Sequence, residues 1–207
     1  SRDYVVQVAT AVETAIPETH LESTSNDAII SGAVDLTKYR TVIWILGRQS
    51  TKDHTFDGGE QKKVEAFIAG GGNLFVSGTD IGWDLDHEGH GRSFFNDTLK
   101  TKFVADDAKS YEVAGAAGSI FADLAKLSFD DGKLYYDAER ADVISPGESA
   151  ILALSYTNSA GGAATQLAGM GGRGSVVVLG FPFEVITTAA DRTAVMKRVL
   201  AFFEPRK

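Results

Sequence analysis

A chain of 207 residues with 43% hydrophobic side chains is sized for one α/β domain with a full core. Its formal net charge of -8, with no local basic cluster, excludes nucleic acid as an expected partner, because phosphate binding depends on basic surface. It has no cysteine, which removes disulfides, thiolate metal sites and a cysteine nucleophile, and no apolar run approaches the roughly 18 residues that span a bilayer.

The chain opens Ser1-Arg2-Asp3, without Met and without a charged-then-apolar leader. A piece of a longer precursor is expected, with any signal peptide upstream. Asp3 to Ala15 is predicted to be helical, since Tyr4, Val5, Val8, Val12 and Ala15 recur near helical spacing and Pro17 follows. Asp27 to Ile30 gives a weak strand or a short turn of helix. Tyr39 to Gly47 is a continuous β-branched and aromatic run, which predicts a buried strand. Gly58 to Gly72 predicts an amphipathic helix with Val64, Phe67 and Ile68 inward and Gly70 as its cap. Asn73 to Gly78 is the next buried strand, so strand, helix and strand imply parallel pairing.

Arg92 to Phe103 reads as a helix leading into a short strand. From about 104 to 160, short β-like pieces alternate with Gly and Asp turns, as in an irregular β-rich insert. Phe129 to Gly132 is read there as a β-turn. "GGAATQLAGMGGRGSVVVLGFPFE" gives a strand, a Gly-rich hairpin-like turn and a strongly apolar strand at Ser175 to Phe181, and its glycines are turn residues that lack the phosphate-loop pattern. Ala189 to Glu204 closes the chain as a helix with Val195, Val199, Leu200 and Phe203 inward. There is no internal repeat or low-complexity linker. The expected fold is therefore one α/β domain over 1–207, a three-layer doubly wound mainly parallel sheet with a small antiparallel insert. Such domains usually open with a strand, so a first strand is expected upstream or from another segment.

The segment "NLFVSGTDIGWDL", Asn73 to Leu85, runs from a buried strand into a glycine-punctuated turn centred on Asp80. The order of "VIWILG", "GGGNLFVSGTDIG" and "VVVLGFPFE" resembles the class I glutamine amidotransferase-like fold, in the flavodoxin-like group. Val42 to Phe95 is similar, more narrowly, to a domain near the C-terminus of bacterial secreted proteins named as xanthan lyases or N-acetylmuramoyl-L-alanine amidases. The resemblance implies a nucleophile turn at Gly78-Thr79-Asp80-Ile81-Gly82, with Asp80 in place of cysteine. It aligns Phe181-Pro182-Phe183-Glu184 with a family F-H-P-E segment, so Pro182 replaces histidine and Glu184 remains. Thiol attack on an amide needs both a thiol and a base, so glutaminase activity is not expected.

The individual residues leave alternatives open. Asp80 lies where open α/β sheets bind ligands, but a carboxylate is also stabilised by a helix N-terminus without any catalysis. Asp80 and Glu184, if adjacent, are the candidate catalytic pair, one carboxyl kept protonated by the other. Otherwise Glu184 accepts hydrogen bonds from backbone or pairs with Arg92. Asp84, Asp86, His87, Glu88 and His90 form the densest set of metal-capable side chains. Asp86, His87 and His90 are the candidate ligands, although "HEGH" is one residue short of the H-E-x-x-H motif. Trp83 and Arg92 suit sugar recognition, or else Trp83 packs under the loop and Arg92 ties Asp84 or Asp86. Gly47 and Arg48 offer an anion site or a plain loop. His20 and His54, without sequence partners, read as surface residues.

Gly47, Arg48, Asp80, Trp83, Asp84, Arg92 and Glu184 are thus the expected ligand-binding set, with no cofactor expected. By the resemblance, the domain is a noncatalytic accessory module of a larger secreted or cell-surface bacterial protein, with a degenerate amidotransferase site. Its expected partners are glycan, cell-wall material or a neighbouring domain of the same precursor, docked if need be on the edge that a missing first strand leaves. The alternative is a carboxylate-dependent hydrolase of polysaccharide or peptidoglycan working through Asp80 and Glu184.

Overall fold

The computed structural model describes residues 4–124 and 126–204, so the expected helix start at Asp3 lies outside the described residues. In chain order the elements are α1 (Val5–Ala15), α2 (Asn26–Ile30), β1 (Thr41–Gly47), α3 (Gly58–Ala69) and β2 (Asn73–Gly78). Then come β3 (Thr101–Ala105), β4 (Glu112–Gly115), β5 (Leu127–Ser128), β6 (Val143–Pro146), β7 (Ile151–Tyr156), β8 (Gly162–Leu167), β9 (Val176–Leu179) and α4 (Ala189–Phe203). Asp27 to Ile30 is a turn of helix, in α2.

β1, β2 and β9 pair in parallel, with Val42 opposite Leu74 and Leu74 opposite Val176. Every other pairing in the sheet is antiparallel. β8 is joined to β9, to β7 and, at Gly162, to β6, so the sheet branches. The expected fold class is corrected by this. The sheet is mixed and curled, a nine-stranded half-barrel with few helices, and the doubly wound, mainly parallel, flavodoxin-like three-layer arrangement is not formed. The physical reason lies in the connections. A parallel neighbour needs a crossover of a dozen or more residues, whereas Tyr156 to Gly162 is a hairpin-length link that returns β8 antiparallel beside β7. The 104–160 segment, read from sequence as a small insert, supplies β4 to β7 of the same sheet.

Side chains of the parallel strands alternate between two cores, as a two-residue period dictates. Leu74, Val76, Val176 and Val178 meet Val64, Phe67 and Ile68 of α3. Phe75, Val177 and Leu179 point the other way, into a core closed by Val8 and Val12 of α1 and Val195, Met196, Val199 and Phe203 of α4. Met196 takes the inward place expected of Leu200, which is only partly buried. α3 starts with a capping box: the Asp57 carboxylate accepts from the Gly59 and Glu60 N–H groups, and the Glu60 carboxylate accepts from the Asp57 N–H. Gly70 is its C-cap, as the sequence indicates.

The helix expected from Arg92 contracts to one wide turn at Phe94–Thr98, closed by Leu99 N–H to the Phe94 carbonyl. A second such turn, Trp83–His87, follows β2. Both use i→i+5 bonds, which shift side-chain directions away from α-helical spacing. No helix among the described residues is long and apolar enough to cross a membrane.

Candidate functional site

The carboxyl ends of β1 and β2 are locked together: Thr79 N–H donates to the Gly47 carbonyl at 3.1 Å. Gly47 has φ +58, and a Cβ there would stand 2.6 Å from the Tyr4 ring, so only glycine fits beneath the N-terminal tyrosine. Asp142 reaches across from the start of β6, its N–H donating to the carbonyls of Gly180 and Thr79. Its carboxylate accepts from Gly82 N–H at 2.6 Å and from Trp83 N–H at 3.4 Å, and so caps the turn that follows β2.

That arrangement brings Asp80, Asp106 and Asp142 together, with a carboxylate oxygen of each within 4.8 Å of the others. Asp142 is fully buried, and its Oδ1 has no hydrogen-bond partner among the described residues. Burial drives the Asp142 carboxyl well above the usual range, opposed by the Gly82 N–H and reinforced by Asp80. Burial also pushes Asp80 up to about 6; the Ser50 hydroxyl opposes this, Asp106 adds to it, and Arg140 and Arg48 oppose it. Arg140 contacts Asp106 at 3.4 Å and Arg48 pairs with Glu139 at 2.9 Å, so two guanidiniums stand at the rim of an acidic centre. Three carboxyls this close cannot all ionise cheaply, and the group holds protons that an exposed aspartate would release.

Glu184 is not part of that group. It is buried in the turn after β9, where Oε1 accepts the Tyr136 hydroxyl at 2.6 Å and the Tyr136 ring leans on Tyr4. Burial raises its carboxyl and the Tyr136 hydroxyl opposes the rise. Asp80 is thus grouped with Asp106 and Asp142, and Glu184 is hydrogen-bonded to Tyr136.

The acid-rich turn divides its side chains among different partners. Asp86 is a brace: its oxygens accept from Arg92 Nε, Asn96 Nδ2 and Phe103 N–H, which is one of the roles foreseen for Arg92. His87 stacks on Trp83 at 4.2 Å, and both rings lie against Phe103. Trp83 is therefore half-buried with one face covered. Asp84 is fully buried; Oδ2 accepts from Thr55 N–H at 2.7 Å and Thr55 Oγ1 at 2.8 Å. Its Oδ1 faces Nδ1 of His90 at 2.7 Å and Nδ1 of His54 at 3.5 Å. Burial works to raise the Asp84 carboxyl, but Thr55 and the two imidazoles outweigh it and hold it below the ordinary value. Asp86, His87 and His90 are thus not assembled as a ligand set. His90 joins Asp84 and His54 instead. Sequence reasoning missed His54 because it lies in the loop before α3, far along the chain from the acids it meets.

Phe129 to Gly132 is more than a β-turn. The Asp130 carboxylate gathers the N–H groups of Gly132, Lys133, Leu134, Tyr135 and Tyr136. A cavity of about 410 Å³ beside it, lined by Tyr111, Phe129 and Lys133 among others, includes none of the residues of the Asp80 cluster.

No family model matches the chain, and no curated protein matches it. Solved structures match its shape. A β-galactosidase from Bacillus circulans sp. alkalophilus aligns at 16% identity and a TM-score of 0.56, over 96% of this chain and 27% of that one. The exo-β-1,4-mannosidase Op5Man5 from Opitutaceae bacterium strain TAV5 aligns at 11% identity and a TM-score of 0.59, over 97% and 30%. A structure described as the mmIFT52 N-terminal domain aligns at 11% identity and a TM-score of 0.59, over 89% and 84%. The chain thus spans about a quarter of the length of the glycosidases it matches. At such identities the likeness concerns fold alone. None of these is a class I glutamine amidotransferase, and with the sheet mixed and Asp80 and Glu184 engaged apart, the amidotransferase-like resemblance and its degenerate site are withdrawn. What the comparisons establish is a fold that recurs as one portion of larger glycosidases and as most of a chain elsewhere.

Proposed function

We propose that this is an accessory domain of a larger carbohydrate-active protein, and that it binds glycan at the edge formed by Arg48, Asp80, Asp106 and Arg140. The observation that carries the reading is the convergence of Asp80, Asp106 and Asp142 beneath two guanidiniums at the carboxyl ends of β1 and β2. Such an edge sets carboxyl acceptors beside cationic donors, which suits a hydroxyl-rich ligand. The occurrence of the fold within a β-galactosidase and a mannosidase supports a glycan over other polar ligands. A secreted or cell-surface setting is part of this proposal.

The test is calorimetric titration with galacto- and manno-oligosaccharides and with peptidoglycan fragments. Asp80→Asn and Arg48→Ala are each expected to weaken binding about tenfold, the equivalent of about 1.4 kcal/mol. Binding that survives both substitutions unchanged moves the site elsewhere. Mass spectrometry of the same mixtures covers the hydrolytic alternative: products released by the wild type and lost in Asp80→Asn would replace binding with catalysis.

A further inference from the structure

We propose that His54, Asp84 and His90 form a site for one divalent transition-metal ion of the zinc type. The site shares no side chain with the Asp80 edge and stands independently of the glycan reading. Its three donors come from two loops, His54 from the one before α3 and Asp84 and His90 from the one after β2. One nitrogen of each imidazole and one oxygen of Asp84 lie within 4.8 Å of one another. Tetrahedral coordination with bonds of about 2.0–2.1 Å separates ligand atoms by about 3.3 Å. The two Nδ1-to-Oδ1 separations, 2.7 and 3.5 Å, bracket that value, so small side-chain rotations admit an ion.

The surroundings are those of a prepared site. Asp84 Oδ2 is fully engaged by Thr55 N–H and Oγ1, which leaves Oδ1 as the oxygen facing the imidazoles. Outer hydrogen bonds of this kind orient a ligating carboxylate. Gln61 Nε2 donates to both the Phe56 and His90 carbonyls at 2.9 Å and so ties the two ligand loops together. His54 holds a left-handed backbone, φ +50, a conformation uncommon for residues other than glycine and enriched at functional positions. The two rings meet edge to face, with centroids 4.4 Å apart. Both histidines are exposed at the rim of a cavity of about 170 Å³ that Phe56, Asp57 and Gly58 also line. Water or a ligand atom can therefore complete the coordination, as in three-ligand sites with an open position. Imidazole nitrogens select zinc, cobalt or nickel over calcium and magnesium, which take oxygen ligands.

The experiment is calorimetric titration of chelator-treated protein with Zn²⁺, paired with the visible absorption of Co²⁺ bound in its place. One ion per chain is expected, with an absorption band from coordinated Co²⁺. His54→Ala and His90→Ala are each expected to weaken Zn²⁺ binding at least about tenfold, by comparison with the loss on mutating outer-shell partners. His87→Ala, a nearby exposed histidine outside the cluster, is expected to leave it unchanged. Because His54 and His90 are exposed, their removal does not open the core, and circular dichroism checks that the fold is kept. No Zn²⁺ binding by the wild type, or equal binding by the His54→Ala/His90→Ala double variant, would overturn the site and leave these contacts as hydrogen bonds alone.

Discussion

Asp80 keeps its proton to about pH 6 because it is largely shielded from water and shares its surroundings with two further carboxyls. The sign of its effect on stability follows. A carboxyl whose folded-state value is raised contributes stability that is complete below its unfolded value, 3.8, and is lost as pH rises through about 6. Asp142 works in the same direction. Replacing Asp80 with Asn is therefore expected to stabilise the domain at pH 7 by about 1–2 kcal/mol, a figure discounted for Asp80's partial exposure, and to have little effect at pH 3.5. Urea unfolding of both proteins at the two pH values measures this, and destabilisation at pH 7 would contradict it. The place of Asp80, at the end of an apolar strand and the start of a glycine-flanked turn, was legible in the sequence. Its companions were not, since Asp106 and Asp142 come from the ends of later segments with no local mark of convergence.

Elements whose signal is local were the legible ones. β2 appears where its apolar run lies and α3 where its amphipathic run lies, although its capping box at Asp57-x-x-Glu60 went unread because Gly58 and Gly59 follow the cap. Asp57→Ala is expected to cost about 1 kcal/mol, since it orphans two N–H groups at the helix start. The urea midpoint should fall without a change in slope, and an unchanged midpoint would mean that water replaces the cap. The turns at Trp83–His87 and Phe94–Thr98 escaped reading for the opposite reason. A single i→i+5 turn is too short to show a period, so the sequence offered Asp86, His87 and His90 as one ligand set, whereas the chain stacks His87 on Trp83 and sends His90 to Asp84.

At the scale of the whole molecule, apolar runs revealed the strands but not their directions, because direction is set by connection length and by which edge is free. Where a Gly-rich turn marks the return the direction is legible, and β8 does join antiparallel to β9, whereas nothing local shows that β6 lies beside β3 and β8. The helices at the two ends of the described chain share one core, Val8, Ala11 and Val12 of α1 against Val195, Met196, Val199 and Phe203 of α4. Each such side chain contributes about 1.5–3 kcal/mol when buried, so deleting α4 removes as much as the whole margin of a typical domain, about 5–15 kcal/mol. A chain ending at Thr188 is expected to lose its cooperative thermal transition, and a retained transition would show that β9 alone closes the core. The same topology governs how the protein is made. β2 lies between β1 and β9, and β9 is synthesised long after β2. At about 5–20 residues per second, the roughly 100 residues between the two strands take about 5–20 s to translate, during which β2 waits with one edge bare to any other strand that meets it.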